Sequence, residues 1–220
     1  MIFVKICGIQ SLSDAMQSLD NGASAVGFLV GITHRAEDQI SASAAAGIVR
    51  ALPREASAVL VTHLQDSARV ADLARDIGVG TIQLHDEMEI TGIEALRVAI
   101  PGIAIVKAVH VEGADSFARA RHYAPYVDAL LLDSRTADRL GGTGKTHDWA
   151  ISAEMVRMFA PMPVYLAGGL TPANVGDAIR RVNPAGVDVN SGVEDEFGGK
   201  SAEKVKRFVA EAREACAALV

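Results

Sequence analysis

Eight short runs of β-branched and other apolar residues, each followed by a longer amphipathic and often Ala-rich stretch, constrain this chain more than any other feature. The runs lie at about Ile2–Ile6, Ala25–Val30, Ser57–Val61, Thr81–Leu84, Ala104–Val109, Ala129–Leu132, Val164–Leu166 and Gly186–Val189, and their length and composition predict strands. Helical periodicity predicts helices over Ser11–Asp20, Ser41–Ala51, Asp66–Ile77, Glu89–Ala99, Asp115–Tyr123, Asp148–Phe159, Pro172–Val182 and Ala202–Ala218. Asp66 and Asp148 stand where an N-cap carboxylate belongs, and Thr171 precedes a proline placed to open a helix. Strands that alternate with helices imply a parallel sheet with right-handed crossovers. Eight such units in 220 residues suit a single closed (β/α)8 barrel over residues 1–220, with its site at the C-terminal ends of the strands. An open dinucleotide-binding sheet would carry G-x-G-x-x-G after its first strand; Cys7-Gly8-Ile9-Gln10 stands there instead.

Charge and cysteine usage narrow the partners. The net charge of −6 and an aromatic content of 5% argue against a nucleic-acid surface. No apolar run reaches the roughly 18 residues of a membrane span, and the N-terminus reads straight into a strand rather than a signal peptide. Cys7 and Cys216, near opposite ends, make no disulfide framework. A reduced, cytoplasmic protein without nucleic-acid or membrane partners is expected, as a monomer or a homodimer.

In such a barrel the polar residues that end the strands converge on one mouth. Here they are Lys5 and Cys7, Thr62 and His63, Gln83 and His85, Lys107 and His110, Asp133, then Asp188 and Asn190. Three glycine turns accompany them, at Gly141-Gly142-Thr143-Gly144, Gly168-Gly169 and Ser191-Gly192. Glycine lets backbone N–H groups approach an anion, so Gly142, Gly144, Gly168, Gly169, Ser191 and Gly192 are candidate phosphate binders. Gly144-Lys145-Thr146 imitates the end of a P-loop, but Arg139 occupies the position that needs the first glycine. His63, His110 and His147 show no metal-ligand spacing, so no metal is expected on them.

These residues fall into blocks whose order and spacing resemble the phosphoribosylanthranilate isomerase family over nearly the whole chain. The blocks are Val4-Lys5-Ile6-Cys7-Gly8-Ile9, Gln83-Leu84-His85, Leu131-Leu132-Asp133, and Gly141-Gly142-Thr143-Gly144-Lys145-Thr146 with Asp148-Trp149. Ala167-Gly168-Gly169-Leu170-Thr171-Pro172 with Asn174-Val175, and Val187-Asp188-Val189 with Ser191-Gly192-Val193-Glu194, complete the pattern. The resemblance implies a cofactor-free and metal-free (β/α)8 barrel of tryptophan biosynthesis. It would convert N-(5-phosphoribosyl)anthranilate, a phosphorylated aminosugar, to its ribulose form by an Amadori rearrangement. Cys7 would be the general base and Asp133 the general acid. Asp188 would contact the sugar hydroxyls, and Lys5, Gln83 and His85 would line the substrate. A thiol ordinarily titrates near about 8.5. Lys5 or a backbone dipole is expected to lower Cys7 toward thiolate, while Asp133 must be shifted upward to hold a proton.

The segment after the second strand departs from the family. Family members place an arginine directly before an Ile/Val-Ser pair, where it grips the anthranilate carboxylate. In this chain Gln39 precedes Ile40-Ser41, and Arg35 lies four positions earlier. Thr62-His63-Leu64 replaces an apolar residue and Asn, and Asp86 replaces a glycine after His85. Arg35 is the candidate for the carboxylate. The departures leave open an enzyme of the same chemistry on another phosphorylated aminosugar, or a non-catalytic phosphosugar-binding barrel.

Overall fold

The computed structural model describes residues 2–33, 37–134 and 148–219. Eight parallel strands close into a barrel in sequence order: β1 Phe3–Ile6, β2 Ala25–Leu29, β3 Ser57–Thr62, β4 Thr81–Leu84, β5 Ala104–His110, β6 Ala129–Asp133, β7 Val164–Leu166 and β8 Gly186–Val189. β1 pairs with β8 from Phe3↔Gly186 to Ile6↔Val189, which closes the ring. The helices are α1 Leu12–Asp20, α2 Ala42–Ala51, α3 Ser67–Ile77, α4 Ile90–Ala99, α5 Asp115–Tyr123, α6 Trp149–Phe159, α7 Val175–Val182 and α8 Ala202–Ala217. Their starts follow the sequence: the side chains of Ser11, Ser41, Asp66, Asp148 and Ser201 each accept a backbone N–H of the first turn. No helix among the described residues is long and apolar enough to cross a membrane.

One helix start differs from expectation. Pro172 does not open α7; a turn spans 172–174 and the helix begins at Val175. Asn174 is the reason. Its Oδ1 accepts the Thr171 N–H at 2.7 Å and its Nδ2 donates to the Gly169 carbonyl at 2.9 Å, bracing the turn after β7. At the start of α7 the Val175 N–H donates to the Thr171 carbonyl and the Ala178 N–H to the Asn174 carbonyl. Short 3₁₀ turns at Ala124–Tyr126 and Ser191–Val193 also add to the predicted set.

The core lies in two layers set by strand parity. One large cluster joins strand residues such as Val4, Ile6, Phe28, Leu60, Ile105, Leu130 and Leu132 to the inner faces of the helices. Inside the ring, two smaller clusters hold Cys7, Ala25, Val59 and Val61, and Val106, Ala108, Ala129, Leu131 and Ala167. Successive side chains on a strand point to opposite faces. Lys5 and Cys7 share the inner parity of β1, as Asp133 shares that of Leu131 and Asp188 that of Gly186.

Candidate active site

The polar inner residues gather at the C-terminal mouth in two groups. The first is built on β1 and β8. Lys5 Nζ donates to Asp188 Oδ2 at 2.8 Å, and both side chains are buried. Burial pushes the Lys5 ammonium down, but the Asp188 carboxylate beside it, helped by Cys7, holds it above the ordinary lysine range. Asp188 Oδ1 is buried with no hydrogen-bond partner among the described residues, an acceptor left for a donor from the mouth. Gly27 of β2 makes the space. A Cβ there would lie 2.9 Å from Lys5 Cε and 3.0 Å from Cys7 Sγ.

Cys7 does not have the lowered thiol that its neighbour suggested. Burial pushes it up to about 11, and the Lys5 charge, already engaged by Asp188, pulls it down only in part. In the free protein the thiol is the resting form.

The second group stands on β4, β5 and β6. Asp133 Oδ1 accepts the Ser134 N–H at 2.7 Å, and Oδ2 faces His85 Nε2 at 3.4 Å. His85 Nδ1 is 3.2 Å from the Gln83 amide, which fixes the ring from behind. His63 stacks on His85 with centroids 5.1 Å apart, and His110 meets it edge-on at 5.3 Å. Gly168, at φ +83°, leaves the room that Asp133 needs, because a Cβ would stand 2.8 Å from Oδ1. The expected upward shift of Asp133 is not found. Burial raises it, but the His85 hydrogen bond and the charges of His85 and His110 outweigh burial and hold the carboxyl below its usual range.

The turns after β7 and β8 meet as expected. Gly168 and Gly169 both have positive φ, and Gly192 packs so closely on the Leu170 carbonyl that no side chain fits. Ser191 and Gly192 therefore sit beside Gly168 and Gly169 at the rim. Arg35, Gly142 and Gly144 lie outside the described residues. Lys107 is not a mouth residue: it has the opposite parity to Ala108 and packs under the Tyr123 ring of α5, 4.8 Å from its centroid.

Two features were not anticipated. One is the gathering of His85 and His110 on Asp133, with His63 stacked on His85, which no sequence spacing reveals because the four residues stand at the ends of four different strands. The other is a latch across the mouth. Asn190 Nδ2 donates to Asp38 Oδ2 at 2.5 Å, and Lys200 Nζ donates to Asn190 Oδ1 at 2.7 Å and Glu194 Oε1 at 2.9 Å. Asn190 and Asp38 fill the space over Gly8, whose φ is +70°. The segment after β2 is thereby tied to β8.

Comparison with known proteins bears on the fold and the family. The family model for N-(5'-phosphoribosyl)anthranilate (PRA) isomerase matches residues 4–211. N-(5'-phosphoribosyl)anthranilate isomerase 2 of Methanosarcina mazei is 42% identical over 212 residues, 96% of this chain and 93% of that protein. The crystal structure of phosphoribosyl anthranilate isomerase from Thermotoga maritima superposes with a TM-score of 0.86 at 35% identity, over 97% of this chain and 100% of the other. A phosphoribosyl anthranilate isomerase crystallised with reduced 1-(o-carboxyphenylamino)-1-deoxyribulose 5-phosphate gives a TM-score of 0.83 at 33% identity, with the same coverage.

Proposed function

Because this chain belongs to the N-(5'-phosphoribosyl)anthranilate isomerase family, we propose that it converts N-(5'-phosphoribosyl)anthranilate to 1-(2-carboxyphenylamino)-1-deoxyribulose 5-phosphate, with Cys7 as base and Asp133 as acid. The observation that carries the assignment of roles is their placement. Both are buried on the inner face at strand ends, and β7 and β8 separate β6 from β1 on one side of the ring. A sugar held between them presents its ring oxygen to one and its C2 hydrogen to the other.

The chemistry runs in a sequence of proton transfers. Asp133 gives a proton to the ring oxygen as the C1–O bond breaks, and the anilino nitrogen supplies the electrons that form the iminium. Cys7 then takes the proton from C2, the C2 electrons neutralise the iminium, and the resulting enolamine becomes the ketone as C1 gains a proton and the C2 hydroxyl gives one up. The resting states found for both groups shape this reading. Asp133 is a carboxylate in the free protein, so it needs a proton delivered before it acts, and His85 at 3.4 Å is placed to deliver it. Cys7 rests as a thiol, and the cationic iminium formed beside it favours loss of its proton. General acid–base groups in such positions contribute about 10²–10⁴-fold each.

Asp188 Oδ1 is the acceptor for a sugar hydroxyl, with Lys5 fixing its other oxygen. Gln83 and His85 line the sugar. The backbone at Gly168, Gly169, Ser191 and Gly192 receives the phosphate, and Gly142, Gly144 and the carboxylate partner Arg35 belong to the same proposal. The cysteines, both free thiols, suit a reducing cytoplasm. Relatives named for one reaction at up to 42% identity favour this substrate over another aminosugar or a binding-only barrel. The test is loss of anthranilate fluorescence on freshly made phosphoribosylanthranilate. Turnover by the wild type that Cys7→Ala and Asp133→Asn remove supports the assignment. A folded wild type without turnover overturns it.

A further inference from the structure

We propose that His85, His110 and Asp133 form a binding site for a divalent transition-metal ion of the zinc class, and that an ion held there switches the isomerase off by occupying Asp133. The second half rests on Asp133 acting as the acid; the first half does not.

The donor set is the first argument. One ligand atom from each residue can be chosen so that all three lie within 4.8 Å of one another. Two imidazoles and a carboxylate suit zinc, cobalt, nickel or copper rather than magnesium or calcium, which prefer oxygen donors. Three protein donors leave a fourth position open, as in catalytic zinc sites, whereas structural sites are closed by four.

Geometry is the second. His110 and Asp133 are register partners on neighbouring parallel strands, so their side chains leave the same face of the wall side by side. His85 follows β4, the next strand round. Zinc–ligand bonds of about 2.0–2.2 Å in a tetrahedron put neighbouring donors roughly 3.3–3.6 Å apart. His85 Nε2 and Asp133 Oδ2 already stand at 3.4 Å. The third donor, on His110, lies within 4.8 Å of both.

The third argument is what holds the donors from behind. A ligating histidine normally has its other ring nitrogen engaged, and a ligating carboxylate its other oxygen. Gln83 contacts His85 Nδ1 at 3.2 Å, leaving Nε2 for the ion. The Ser134 N–H holds Asp133 Oδ1 at 2.7 Å, leaving Oδ2. His63 stacks on the His85 ring and limits its rotation. An ion bound to Oδ2 and Nε2 takes the very atoms between which the acid proton would pass, so metal and turnover exclude one another.

Co2+ titrated into the full-length, tag-free protein in a non-coordinating buffer tests the site through visible d–d absorption, independently of any turnover. The expected result is one ion per chain, displaced by Zn2+, with affinity falling by more than about 100-fold in His110→Ala and in the more conservative His110→Gln, beyond the 10–100-fold that losing an outer partner costs. His63→Ala keeps all three donors and is expected to keep the band. In the fluorescence assay Zn2+ is expected to stop wild-type turnover, a chelator to restore it, and His110→Gln to resist. Absence of a d–d band in the folded wild type, or a band unchanged in both His85→Ala and His110→Gln, overturns the site. A metal-loaded protein that turns over at the full rate overturns the inhibition.

Discussion

Lys5 and Lys107 are both buried lysines in the middle of barrel strands, and the two faces of the wall treat them in opposite ways. Lys5 points inward, where Asp188 meets it at 2.8 Å and keeps its charge above the ordinary range. Lys107 points outward into the layer between wall and helices. Its Nζ donates to the Ala108 carbonyl at 2.5 Å and lies over the Tyr123 ring, whose hydroxyl donates to Glu87 Oε2. Burial lowers it to about 8, against the pull of Glu87 and Asp86. One lysine is held charged beside a carboxylate whose other oxygen has no hydrogen-bond partner among the described residues. The other is a cation under an aromatic lid, with its charged form disfavoured. Parity along the strand, more than residue type or burial, decides whether a polar group belongs to the chemistry or to the packing.

The contrast breaks most visibly in activity. Cys7→Ala and Asp133→Asn, on the inner face, should each lower kcat by about 10²–10⁴-fold, while Lys107→Met on the outer face leaves kcat unchanged in the same fluorescence assay. Lys5→Met strands the buried Asp188 charge and should cost about 3–5 kcal/mol in urea unfolding, with Lys5→Met/Asp188→Leu recovering much of it. Lys107→Met should do the reverse and stabilise by about 1–3 kcal/mol at pH 7, since a disfavoured charge is removed. Its pH dependence sharpens the point. The folded protein gives up the Lys107 proton near about 8, against an ordinary 10.5, so between those values the unfolded chain holds more protons and stability rises with pH. The gain from Lys107→Met is therefore full below pH 8 and gone above 10.5. The smallest effect is at the rim. Asn174→Ala removes two hydrogen bonds that brace the turn after β7 and should cost about 1–2 kcal/mol, with a raised KM and little change in kcat if Gly168 and Gly169 hold the phosphate.

The same parity explains what could be read from the sequence. The eight strands and eight helices were legible because each strand is a short apolar run bounded by turn residues, and the bounds fall within about two residues of the structure for all but α7. Faces were not, because a parallel strand covered on both sides carries no polar alternation: Leu130, Leu131 and Leu132 read alike, though Leu131 is inside and its neighbours outside. Lys107 was thus grouped with His110, three positions away and on the opposite face. The proximity of Lys5 to Cys7 was visible in the sequence. The prior engagement of Lys5 by Asp188, 183 residues on, was not, and it leaves the Cys7 thiol high. Asp133 was misjudged in the same manner, since His85 and His110 reach it only through the ring.

The pairing of β1 with β8 also governs when this protein can come into being during synthesis. A nascent chain that has emerged only as far as β7 has two unpaired strand edges, and β1 must wait for Gly186–Val189 before its backbone is satisfied. Asp188 arrives on that last strand. Until then Lys5 has no counter-charge. The closing of the wall and the completion of the site are one event, fixed by the order of the strands.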